Sequence, residues 1–140
     1  MNSKNIQNLE KVFPEKLAQI WLKKSIDFLR LKKIISAEHQ ALISVAKVSE
    51  KEIKNLNKNY RNKNEVTDIL SFGYNFDDKK IEGDLILCWK VIEKNAQEDN
   101  IEAEKELAKN LIHGCLHLTG LEHSAEMFQL QDDFLKDFFK

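Results

Sequence analysis

Apolar positions recur along this 140-residue chain with two periods, one helical and one alternating. From Pro14, well placed for a first helical turn, to about Lys33, the residues Leu17, Ile20, Trp21, Ile26, Leu29 and Leu31 supply apolar surface and predict an amphipathic helix. Ala41 to Val48 (ALISVAKV) is short, rich in β-branched residues and partly alternating, which predicts a strand. It ends at Ser49, and Ser49 with Glu52 has the spacing of a capping box that opens a helix over about 50–59. After the polar stretch NKNYRNKNEV, the segments TDILSFGY and GDLILCW predict two strands that pair as neighbours across the turn-like NFDDKK. Helices follow over about 89–97, 102–118 and 125–138, the last with Met127, Leu130, Phe134, Leu135 and Phe138 inward. Residues 1–10 offer a further short edge strand around Ile6.

These elements sum to an α+β fold, a small mixed sheet packed with about five helices. The helix over 102–118 is central, because Leu111, Cys115 and Leu118 make its second face apolar. The acidic Glu102, Glu104 and Glu106 at its start suit the helix dipole. The length fits one domain over residues 1–140, enough to bury roughly two thirds of the unfolded surface around one core. No apolar run approaches the thickness of a bilayer and MNSKNIQNLEKVF lacks the apolar stretch of a signal peptide, so a cytoplasmic protein is expected. Cys88 and Cys115 lie inside apolar patterns and read as reduced core residues.

Charge changes this picture through its distribution. Residues 1–63 hold 14 Lys and Arg against 6 Asp and Glu, whereas residues 64–140 hold 8 against 17. Lys47, Lys51, Lys54, Lys58, Arg61 and Lys63 form a candidate surface for a phosphate backbone, since neutralising phosphates releases counterions. A solvated, lysine-rich helix face accounts for the same residues.

The run LIHGCLHLTGLEH holds three of the four histidines of the chain. His113 and His117, four apart, lie roughly 6 Å from each other along one helix face. Gly120, just past the last turn, can take a left-handed conformation that brings His123 back toward them. Three imidazoles leave coordination positions open, the pattern of a catalytic rather than a closed structural metal site. Zinc (Zn) is the simplest ion, with nickel, cobalt or copper also compatible. Cys115 falls on the opposite face, and His39 stands apart from the cluster. The spacing is that of the metzincin protease run His-Glu-x-x-His-x-x-Gly-x-x-His, but the general-base position is Gly114 here, so the motif indicates a metal hydrolase and argues against a protease.

The segment His113-Gly114-Cys115-Leu116-His117-Leu118-Thr119-Gly120-Leu121-Glu122-His123 resembles the YbeY family motif His-Gly-x-Leu-His-Leu-x-Gly-Tyr-Asp-His. Leu56, Asn57, Tyr60, Arg61, Lys63, Thr67, Asp68 and Leu70 to Phe72 resemble a second family segment, and Gly83-Asp84-Leu85 a third. The departures are Leu121 and Glu122 for the family Tyr-Asp, and Asn64-Glu65-Val66 for its Asp-x-Pro. The resemblance implies a metal-dependent, single-strand endoribonuclease of ribosomal RNA maturation, with one zinc on His113, His117 and His123. It also implies Arg61 on the scissile phosphate, and RNA, the small ribosomal subunit, and a GTPase or ribosomal protein as partners. Lys63, Asp68, Asp84 and Glu122 are candidates for RNA contact or for orienting the ligand imidazoles. Two other readings stay open: a non-catalytic ribosome-associated RNA-binding factor stabilised by its metal, with Glu122 as a fourth ligand, and another metal hydrolase such as a protease.

Overall fold

The computed structural model describes residues 12–139. The expected strand around Ile6 lies outside them. The described elements run α1 (Glu15–Leu31), β1 (Gln40–Lys47), α2 (Glu50–Arg61), β2 (Ile69–Phe76), β3 (Lys80–Leu87), α3 (Trp89–Glu98), α4 (Ala103–Leu118) and α5 (Ala125–Phe138). The sheet has the order β1-β3-β2, with β1 parallel and β2 antiparallel to β3. The α+β reading therefore holds, and the two later strands pair as expected. The β3 strand begins earlier than its apolar run implies, at Lys80, because Asp77 tightens the turn by accepting from the Lys79 and Lys80 amides at 2.8 and 2.9 Å.

Alternation along β3 divides the molecule. Ile81, Leu85 and Leu87 are buried on one face against α4 and α1, with Leu107, Leu111, Cys115 and Phe28 in the same core. On the other face, at the end of the sheet nearest α2, Ile53 packs on Leu70 and Cys88 in a second, smaller cluster. Helix α4 lies at the centre, packed on α1, α3, α5, β2 and β3. Both cysteines are buried free thiols, and burial pushes the Cys115 thiol up to about 12, which leaves it inert as a nucleophile.

Two expectations need correction. In α1, Ile20 and Leu31 are 50% and 71% exposed, and the inward stripe is Ala18, Trp21, Leu22, Ser25, Phe28 and Leu29. Small Ala18 and Ser25 share this stripe with large residues, so counting large apolar side chains misjudged the phase. In α5, Phe138 is 41% exposed, although its ring meets Trp21 edge-on at 5.4 Å. In α4, Glu104 accepts a hydrogen bond from Trp21 Nε1 at 3.0 Å, while Glu106 is buried beside Lys109 at 3.7 Å, where desolvation raises its carboxyl pKa. Both lie in the first turn of α4, as expected from the helix dipole.

Candidate metal centre and its cleft

Helix α4 presents His113 and His117 one turn apart at its C-terminal end. The Gly120 amide donates to the His117 carbonyl at 2.9 Å, and Gly120 itself adopts φ +85°, a conformation that a side chain would strain. The chain turns back, and His123 joins the pair. The three Nε2 atoms form a nearly equilateral triangle, with separations of 3.1 Å (His113–His117), 3.1 Å (His117–His123) and 3.2 Å (His113–His123).

The tautomers follow from what the other ring nitrogens touch. His113 Nδ1 donates to Gln131 Oε1 at 2.9 Å and His117 Nδ1 donates to the Leu121 carbonyl at 3.1 Å. Both Nε2 atoms therefore turn lone pairs toward a common point. Burial lowers the proton affinity of both rings, His117 to about 4 with further repulsion from His113, His123 and the nearby Arg61. Neutral imidazoles are what metal ligation requires. Nitrogens sharing one ion at about 2.0–2.1 Å lie about 2.9 to 3.4 Å apart, and the observed triangle fits that range. Among the described residues no carboxylate or thiol joins the three, so Glu122, exposed in the adjoining turn, does not close the set.

The triangle forms part of a cleft of about 270 Å³. Helix α2 supplies part of its wall through Asn57 and Arg61. Its start is fixed by the Ser49–Glu52 capping box, with both hydrogen bonds at 3.1 Å, and its end by Asn62 in a left-handed conformation at φ 57°. This termination leaves Arg61 as the last helical residue, with one guanidinium nitrogen donating to the Ser71 carbonyl at 3.1 Å. Buried Asn57 donates to the Glu65 carbonyl at 3.0 Å and pins the connection that carries Lys63 and Asp68 along the cleft. Asp68 accepts from its neighbour's amide, Ile69 N, at 2.8 Å, and its charge acts on His113.

Asp84 lies elsewhere. On β3 it accepts hydrogen bonds from Ser44 and Tyr74, which lower its pKa, and it orients no imidazole. His39 is satisfied by the Ser36 amide at 2.8 Å and the Asp77 carbonyl at 2.7 Å. Gln131, Lys109 and Phe128, which the motif reading missed, all border the cleft. Of these, Gln131 carried a signal: it sits between Met127 and Phe134 on the buried face of α5, where an amide is costly without a partner. Phe128 stacks on His123 with centroids 5.9 Å apart.

Gly114 has a steric cause. A Cβ there would lie 2.8 Å from Leu85 Cδ2, 2.9 Å from Ile69 Cδ1 and 3.2 Å from Ser71 Oγ. The sheet thus fills the position that a metzincin gives to glutamate.

Comparison with known proteins agrees with this geometry. The sequence model of the family described as Endoribonuclease YbeY matches residues 2–138. An Endoribonuclease YbeY of Borreliella burgdorferi (strain ZS7) is 40% identical over 102 residues, which cover 61% of this chain and 66% of the relative. The chain thus spans slightly less than two thirds of the length of that relative. The Endoribonuclease YbeY of Thermotoga maritima is 36% identical over 141 residues, covering 96% of this chain and 81% of the relative. A solution structure of a Thermotoga maritima protein superposes with a TM-score of 0.64 at 34% identity, over 90% of this chain and 83% of that one.

Proposed function

Since the chain belongs to the YbeY family of endoribonucleases, we propose that it is a zinc-dependent hydrolase of single-stranded RNA, acting in the cytoplasm on the 3′ end of small-subunit ribosomal RNA and in ribosome quality control. The observation that carries this reading is the open triangle of three Nε2 atoms that shares one cleft with Arg61. His113, His117 and His123 would hold the ion. When bound, it supplies Lewis acidity toward a phosphoryl oxygen and a source of hydroxide near neutral pH.

The chain's own residues do the rest. Gln131 and the Leu121 carbonyl hold the two α4 imidazoles in the tautomer that leaves Nε2 unprotonated. Arg61, tethered to Ser71 by one nitrogen, offers the rest of its planar fork to a phosphate, and Lys63 adds positive charge to the same cleft. Asp68 borders the cleft with a carboxylate that can accept a proton or a ribose hydroxyl. The small ribosomal subunit and a GTPase or ribosomal protein are the corresponding partners. The sheet contacts at Gly114 weigh against the protease reading, and the absence of a fourth ligand among the described residues against a merely structural metal.

The test compares wild type with His117→Ala and Arg61→Ala on a single-stranded RNA, with metal content measured in parallel. The histidine variant should lose both metal and cleavage. The arginine variant should keep its metal and lose about 10²-fold or more in rate, the scale of a lost transition-state contact. Cleavage by a metal-free His117→Ala protein, or a metal-loaded wild type that cuts no RNA, would sink the proposal.

A further inference from the structure

The cleft ends at Arg61, but the positive charge does not. Taking α2 at 100° per residue, Lys51, Lys54, Lys58 and Arg61 fall at i, i+3, i+7 and i+10 along one flank of the helix. Ile53 and Asn57 point inward on the adjoining stripe, and Asn57 and Arg61 both line the cleft, so this flank is continuous with the cleft wall. From Lys51 to Arg61 the row extends about 15 Å along the axis.

Nothing within the described fold neutralises it. Lys23, Lys80, Lys90 and Lys109 are each in an ion pair with a carboxylate, at 3.4 to 4.0 Å. Among the described residues Lys51, Lys54 and Lys58 are in none, and all three are exposed. The two acidic residues of α2 are engaged elsewhere: Glu52 closes the capping box and Glu50 pairs with Lys90 at 3.4 Å. Helix stability accounts for only part of the row: Lys58 and Arg61 stand in the last turn, where the dipole favours cations, but like charges at i,i+3 and i,i+4 weaken a helix, and Lys51 stands in the first turn, where the dipole disfavours a cation. A row of self-repelling charges that runs into a phosphate-directed arginine has the form of a track for a polyanion.

We infer that this flank of α2 binds the phosphates of the RNA strand where it leaves the cleft, roughly three nucleotides to one side of the cut. The inference rests on the ribonuclease reading and adds the path of the substrate. It implies that affinity, but not the chemical step, depends on strand length beyond the cleft.

The experiment titrates metal-loaded wild type and a Lys51→Gln/Lys54→Gln/Lys58→Gln variant with oligouridine RNAs of three and twelve nucleotides, at several salt concentrations, and follows cleavage of both. The variant should bind the long RNA about tenfold or more weakly at low salt. Its log K against log salt slope should be shallower by about 2, near 0.7 for each lost phosphate contact. Trinucleotide cleavage should be unchanged, and the corresponding triple arginine variant should restore long-strand binding. Equal affinity and equal slope for wild type and the glutamine variant overturn the track, and would leave the row for a protein or membrane partner. Wild-type protein that binds the long RNA through these lysines without cutting it keeps the track and removes the nuclease reading; no binding by wild type removes both.

Discussion

At the scale of single residues, the ligand-bearing run was legible because its three histidines are close in sequence, and helical periodicity plus one glycine suffices to make them converge. Gln131 was not legible in that way, since it is 18 residues from His113 and reaches it only because α5 folds back beside α4. Its amide oxygen fixes the His113 tautomer from a nearly buried position. Gln131→Leu, of similar volume, should leave the Nδ1–H of His113 without an acceptor and let the ring turn. We expect metal affinity to fall about 10–100-fold, the usual cost of losing a partner behind a ligand, as measured by chelator competition. Gln131→Glu should retain or raise affinity, because a carboxylate makes the imidazole a stronger donor. Unchanged affinity in Gln131→Leu would mean that the Leu121 carbonyl and the chain turn alone hold the triangle.

At the scale of elements, α4 shows why a motif departure need not be a local accident. The step from glutamate to Gly114 reads in sequence only as a missing base, and the packing shows that side chains of β2 and β3 occupy the space that a Cβ would enter. Gly114→Ala places a methyl against two flexible side-chain ends. An overpacking cost of about 1–3 kcal/mol is partly offset by the roughly 1 kcal/mol that alanine contributes to a helix, leaving a net loss of about 1 kcal/mol. Gly114→Glu adds a buried, unpaired carboxylate and should lose at least about 3 kcal/mol or fail to fold. Thermal melts of the two variants check this, and a glutamate variant as stable as wild type would show that α4 can move off the sheet. The same dependence on packing explains the misjudged face of α1. Ile20 and Leu31 have helical spacing equal to that of the true core, and packing on α4, with Phe134 of α5 against Trp21 and Phe28, selects the stripe that holds Ala18 and Ser25.

At the scale of the whole molecule, the metal site links folding to metal and to protons. The turn from Thr119 to Ser124 and the docking of α5 both end on imidazoles, so an ion on the triangle ties α4, its C-terminal turn and α5 together. Binding to the folded chain alone raises stability by mass action, and a chelator should reverse that rise. In the metal-free protein the sign of the pH dependence follows from burial. The folded state holds His117 near a pKa of about 4, whereas the unfolded chain takes up its proton near 6.5. His113 is displaced in the same direction. Because the unfolded state binds more protons between these values, the contribution is complete above about pH 6.5 and is lost as pH falls toward 4. Melting temperatures of metal-free protein should therefore drop steadily across that window, and His117→Gln should flatten the drop. Metal-loaded protein should melt higher at pH 7 and converge on the metal-free curve as acid displaces the ion. A metal-free protein whose melting temperature is constant from pH 7 to 4, or a His117→Gln variant with an unchanged slope, would mean that the two α4 imidazoles are not held neutral in the fold, and the cluster would then lack the lone pairs that make it a metal site.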